Sequence, residues 1–184
     1  CQVIPMFAIY TFGPQIIGLL GLDEGRNAVL GNIVISMFFL IGCIPAMYWL
    51  NSIGRRPLLI GSFAVMTLAL GILGLFSNPG IELVVIAFAV YAFFSGGPGI
   101  LQWLYPNELF PTEIRASAVG AAMSLSRIGT VLSTYALPIF IINYGISSAM
   151  LAGAAISLIG LLVSIAMAPE TRGLSLEKTS RLGY

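Results

Sequence analysis

Long apolar runs separated by short polar clusters make up almost the whole chain. Six such runs, at approximately 1–21, 29–50, 57–76, 83–104, 116–141 and 146–168, are each about 20 residues or longer, the length an α-helix needs to cross a ~30 Å hydrocarbon core. Between them lie Asp23-Glu24-Gly25-Arg26-Asn27, Asn51 to Arg56, Ser77-Asn78-Pro79-Gly80, Tyr105 to Arg115 and Asn143-Tyr144-Gly145. The pattern predicts an all-α integral membrane protein with six transmembrane helices and a polar tail over 169–184.

Composition strengthens that reading. The 184 residues are 58% hydrophobic and 8% charged, with no histidine, and the mean hydropathy is +1.00, more apolar than a soluble domain requires. Arg55, Arg56, Arg115, Arg172, Lys178 and Arg181 fall on one side of the predicted topology and Arg26 alone on the other, so the first side, with the C-terminus, is expected to be cytoplasmic. A multi-pass plasma (inner) membrane protein follows. The net charge of +1 says little about partners, and nothing points to nucleic acid. Cys1 and Cys43 lie in apolar runs and suggest no redox role. No Ser-His-Asp set, metal-ligand cluster or P-loop is present, so neither an enzyme nor a metal or other cofactor is expected. The chain opens in apolar sequence without a methionine or a basic n-region, and is expected to be a piece of something longer.

Glycine and proline mark the next layer. Gly13-Pro14 falls in the first run and Ser95-Gly96-Gly97-Pro98-Gly99 in the fourth. These runs open two successive three-helix groups, so breaks at Gly13, Pro14, Gly97, Pro98 and Gly99 would sit in corresponding places, as they do around the binding site between inverted repeats of transporters. The alternative is that Gly and Pro simply allow close helix packing.

The loops carry motifs that can be compared with a family. Asn51-Ser52-Ile53-Gly54-Arg55-Arg56-Pro57 resembles the D-R-x-G-R-R-P loop of the Major Facilitator Superfamily. Tyr105 to Ala116 is similar to its sugar-porter E-[LI]-F-P-x-x-x-R segment, and Pro169-Glu170-Thr171-Arg172-Gly173-Leu174-Ser175-Leu176-Glu177 to its P-E-T-K-G-x-S-L-E tail. The resemblance covers the whole chain and implies the C-terminal half, helices seven to twelve, of a twelve-helix transporter built from two three-helix inverted repeats. Its partners are then the bilayer, the N-terminal six-helix half, a small-molecule substrate and, if transport is proton-coupled, protons. In the family, acids and bases at the cytoplasmic helix ends latch that side, a role the resemblance extends to Arg55, Arg56, Glu108, Glu113, Arg115 and Glu170. A solvated basic loop is the alternative, with exposed pairs contributing ~0 to 1 kcal/mol each. Asn51 stands where the family has aspartate, which removes one acid from the network.

Departures from the sugar-porter pattern bear on substrate. Of Q-Q-x-S-G-x-N in helix seven only Gln2 survives, and N-W-x-x-N in helix eleven reads Ser126-Arg127-Ile128-Gly129-Thr130. Arg127 lies 12 residues past Arg115, about 18 Å into the membrane, where an unmatched charge costs ~2.5 to 3.5 kcal/mol. Gly120, Ser124, Arg127, Thr134 and Pro138 share a stripe roughly 80° wide, and a guanidinium there suits a carboxylate. The motif also resembles metabolite and organic-ion branches in which arginine here goes with organic anions. Candidate substrate residues are Arg127, Trp103, Tyr10, Gln2, Ser124 and Thr130, with Phe7, Phe12, Asn32 and Ser36 as weaker neighbours. The expected function is secondary active transport of a small organic anion or carboxylate metabolite by alternating access. A sugar or polyol porter, and a non-transporting receptor or scaffold on the same fold, remain open, as does a structural role for Arg127. All seven acids lie in loops or at helix ends, so a proton-binding acid would belong to the other half.

Overall fold

The computed structural model describes residues 2–6, 9–10, 26–76, 81–111 and 113–168. The described part is helical throughout. A short helical stretch over residues 3–6 precedes four long helices: α1 (Arg26–Ser52), α2 (Arg55–Leu75), α3 (Ile81–Leu109) and α4 (Arg115–Met167). At 53 residues, α4 is far too long for one crossing. It is interrupted at Gly145, whose φ of 80° and ψ of 170° are not helical and whose positive φ only glycine adopts without strain. The two arms of α4, 115–144 and 146–167, therefore make separate legs, and the described residues show five apolar legs in all. Most of the first predicted helix, and the tail from 169 onward, lie outside the described residues.

Turn chemistry explains the tight link between α1 and α2. Gly54 holds a φ of 111° between the two helices and its N–H donates to the Trp49 carbonyl at 3.3 Å, so the glycine of the Asn51–Pro57 motif is required by the backbone. Pro57 follows in the first turn of α2, where its missing N–H costs nothing.

The core is built from stripes at helical spacing. Met66, Ala69, Leu70 and Leu73 of α2 meet Ala87, Phe88, Tyr91 and Ala92 of α3 and Ala149, Met150 and Ala154 of α4. In lipid the exterior is as apolar as the interior, so close contact between small residues and shape fit, rather than water exclusion, must hold the legs together. α2 and the second arm of α4 run antiparallel: a Cβ on Gly153 would meet Leu70 and one on Gly74 would meet Leu151, while Ser147 Oγ donates to the Phe76 carbonyl at 3.4 Å. α1 crosses α3 where Gly42 and Gly96 bring the two backbones together. A Cβ on Gly42 would strike the Phe93 carbonyl, and one on Gly96 would come within 2.8 Å of the Gly42 carbonyl carbon.

Three expectations are corrected here. The helix does not unwind at Gly97, Pro98 and Gly99: α3 continues through all of them. Absent side chains at this point serve close approach, since a Cβ on Gly97 would lie 2.9 Å from Ser62 Oγ and one on Gly99 3.3 Å from the Phe39 ring. α3 also runs to Leu109, about a turn beyond the expected end at 104, so that Glu108 is carried on the helix. Of the expected loop Asn143-Tyr144-Gly145, only Gly145 leaves the helical conformation, because one glycine at positive φ suffices to reverse the chain.

The α1–α3 crossing yields a direct test. Gly42→Ala is expected to lower the thermal unfolding midpoint of the full-length protein in detergent, an overpacking cost of about 1–3 kcal/mol. Gly61→Ala, at a position where a Cβ would meet nothing, should be neutral or stabilising by up to ~1 kcal/mol.

Candidate functional site

The first arm of α4 carries the expected substrate stripe and displays two different surfaces. Met123, Ser126, Thr130, Ser133, Leu137 and Ile141 recur every three or four residues as its half-buried face. Gly120, Ser124 and Arg127 are exposed and lie within about 60° of one another on the helical wheel. Leu125, Ile128, Leu132 and Ile139 are exposed in an adjoining sector, also about 60° wide. The sector that holds the cation thus mixes Gly120 and Ser124 with the exposed Val131, while the next is dominated by aliphatic side chains. Gly129, about 160° from Arg127, packs on Ile4, with a Cβ there 3.2 Å from the Ile4 side chain. Arg127 therefore leaves the helix on the far side from the N-terminal segment.

The other candidates separate into two groups. Trp103 of α3 is 52% exposed and its carbonyl accepts from Asn107 Nδ2 at 2.7 Å. Ser36 of α1 is exposed as well. Gln2, by contrast, is only 6% exposed and donates from Nε2 to the Ser95 carbonyl at 3.2 Å, with Met6 Sδ a second, weaker acceptor at 3.7 Å. Its amide is engaged inside the bundle. Tyr10 packs edge-on against Phe39, centroids 6.0 Å apart, and its buried hydroxyl makes no hydrogen bond among the described residues. Thr130 is half-buried and spends its hydroxyl on the Ser126 carbonyl at 3.2 Å. The structure thus leaves Arg127, Ser124 and Trp103 exposed and turns Gln2, Tyr10 and Thr130 inward. Phe7, Phe12, Gly13, Pro14 and Glu170 lie outside the described residues.

A half-open cavity of about 160 Å³ lies between the N-terminal segment, Leu70 and both arms of α4. Its walls are Ile4, Pro5, Ile9, Leu137, Phe140, Met150 and their neighbours; Ser133 is the one polar side chain there, and its hydroxyl is bonded to the Thr130 carbonyl. None of the candidate substrate residues lines it. Among the described residues its lining offers a charged solute no ionic partner.

The basic end of the bundle holds the clearest electrostatic feature. Arg55, in the first turn of α2, donates from Nη2 to Glu108 Oε1 at 2.8 Å and from Nε to Oε2 at 3.3 Å. Both side chains are mostly buried, at 17% and 14% exposure. This two-point fork ties α2 to the last turn of α3, a geometry lysine cannot copy. Arg56 reaches the Ile165 carbonyl of α4 at 2.9 Å, and Arg115 Nε donates to the Phe110 carbonyl at 3.1 Å, closing the link between α3 and α4. Glu113 stands exposed. The family resemblance groups Arg55 and Glu108 with Arg56, Glu113, Arg115 and Glu170 without pairing them; the carbonyl partners of Arg56 and Arg115 carry no signal in side-chain type and were missed.

Several long apolar helices, with charged groups gathered at the ends of those described, define an all-helical, multi-pass membrane protein. The chain belongs to the sugar (and other) transporter family, whose family model matches residues 1–182, and the family is one of transporters, not enzymes. It is 76% identical over 182 residues to YaaU of Escherichia coli (strain K12), a protein named for metabolite transport, covering 99% of this chain and 41% of that protein. It is 30% identical over 183 residues to the inner membrane metabolite transport protein YgcS of the same strain, covering all of this chain and 40% of YgcS. The fold matches that of the Major Facilitator Superfamily proton:xylose symporter XylE bound to 6-bromo-6-deoxy-D-glucose, with a TM-score of 0.78 at 22% identity over the whole chain and 41% of XylE. A double-tryptophan XylE mutant gives a TM-score of 0.82. The chain spans about two fifths of the length of these relatives.

The Arg55–Glu108 fork can be measured by a double-mutant cycle in the full-length protein. Arg55→Ala and Glu108→Ala are each expected to destabilise, with a coupling of about 1–3 kcal/mol. Arg55→Lys should recover only part of it; additive single effects would show that the pair is a solvated surface contact.

Proposed function

We propose that the chain forms helices seven to twelve of a twelve-helix permease. It would comprise two three-helix inverted repeats, with the remaining six-helix half completing the transport path. In this reading the basic end faces the cytoplasm of an inner membrane, and the open face carrying Ser124, Arg127 and Trp103 looks into a water-accessible cavity shared between halves. The permease carries a small organic anion or carboxylate metabolite by alternating access.

One observation carries the choice of an anion. Along the first arm of α4 the sector around Arg127 is exposed and contains Gly120 and Ser124, while Gln2, the survivor of the sugar pattern, is buried with its amide on the Ser95 carbonyl. A guanidinium on an exposed helix face can present two parallel donors to a carboxylate, and a charge at mid-depth in a membrane is characteristic of a functional site. The Arg55–Glu108 fork supports a latch at the cytoplasmic end, since a charged pair between two helix ends can close in one arrangement of the bundle and open in another. Any proton-binding carboxylate would come from the other half, because the acids of the described helices sit near their ends.

A sugar or polyol substrate is the second reading. It is favoured by the fold shared with a xylose symporter and by the exposed Trp103, whose ring could stack on a sugar face.

Uptake into proteoliposomes by the full-length protein separates the two. Organic anions should compete while neutral sugars do not. Arg127→Ala should cut uptake ~10- to 100-fold without loss of folded yield, with Arg127→Lys intermediate. Competition by neutral sugars together with normal transport by Arg127→Ala would overturn the anion reading.

A further inference from the structure

The head of α2 presents two successive arginines whose partners lie on different helices. Arg55 engages the Glu108 carboxylate of α3, whereas Arg56 crosses to the end of α4 and donates from Nη2 to the Ile165 carbonyl at 2.9 Å. In an α-helix that carbonyl accepts from the N–H four residues on. Residue 169 is proline and has no N–H to give. The preceding carbonyl, of Ser164, is served in the ordinary way by the Ala168 N–H at 3.2 Å. Ile165 is thus the first carbonyl in the last turn whose backbone donor is chemically missing.

We infer that Arg56 is a positioning residue whose guanidinium replaces the donor that Pro169 cannot supply. It pins the end of α4 to the head of α2. A cation at this place also opposes the partial negative charge of the helix C-terminus. With Arg55 holding α3, the adjacent pair makes α2 a hub for three helix ends, so they shift together when the bundle rearranges. This role is independent of what is transported.

Ala168 ends α4 in an extended conformation, φ −76° and ψ 111°, as a residue before proline prefers. Pro169→Ala both supplies an N–H and frees Ala168 to continue the helix, and gives a test that a general packing or charge role would not pass. The readout is amide hydrogen exchange of residues 165–168 in the full-length protein in nanodiscs. In the parent sequence Arg56→Ala should speed exchange there about 2- to 10-fold, with Arg56→Gln, which keeps N–H donors, in between. In the Pro169→Ala background Arg56→Ala should change exchange less than about twofold. Equal acceleration in both backgrounds, or none in the parent, would overturn the inference. If Arg56→Ala does not fold, Arg56→Gln in the two backgrounds makes the same comparison.

Discussion

A hydrocarbon interior offers the backbone no hydrogen-bond partner but itself, and most features of this bundle follow from that. Each described segment is helical, since any other open conformation would leave amide groups stranded at several kcal/mol apiece. Where the ladder is interrupted, polar groups of the protein step in. Arg56 donates to the Ile165 carbonyl in the last turn of α4. The chain reverses between the two arms of α4 at one glycine. The same constraint governs charge. Arg55, Arg56, Glu108 and Arg115 lie at helix ends, where water and each other can meet them, whereas Arg127 lies within a leg.

How much of this the sequence disclosed depends on the kind of evidence each feature leaves. Apolar length and polar punctuation carried the helical legs, and motif resemblance gathered Arg55 and Glu108 into one charged cluster without saying which acid meets which base. What periodicity could not carry was direction. When both lipid and neighbouring helices are apolar, a side chain's type does not say which it faces, so Thr130 and Gln2 read as open-face residues although both turn inward. Gly97, Pro98 and Gly99 read as a break because glycine serves unwinding and close approach alike; only the Ser62 and Phe39 side chains packed against them reveal the second use. The carbonyl acceptors of Arg56 and Arg115 were invisible for a simpler reason, since every residue has a carbonyl.

Family membership and the shared fold place the chain among transporters, while its own side chains differ from a sugar site where a solute would be held. On the exposed surface of the α4 first arm, Arg127, Ser124 and Gly120 gather in one sector together with Val131, while Leu125, Ile128 and Leu132 fill an aliphatic sector beside it. Such a division is what a helix needs when one flank meets water and the other meets lipid. The apolar cavity beside Ile4 and Met150 has none of this character. The proposed reading accordingly puts substrate recognition on the open face and its control at the paired helix ends.

Water access along the first arm of α4 is the most direct check on that assignment. Ser124→Cys, Leu125→Cys, Arg127→Cys and Leu132→Cys would be made one at a time in a cysteine-free full-length protein and reacted with a charged, membrane-impermeant thiol reagent. Reaction at 124 and 127, slowed by an organic anion at 124, with 125 and 132 inert, is the predicted pattern. Inert positions 124 and 127, or equal reaction at all four, would contradict a water-filled cavity centred on Arg127.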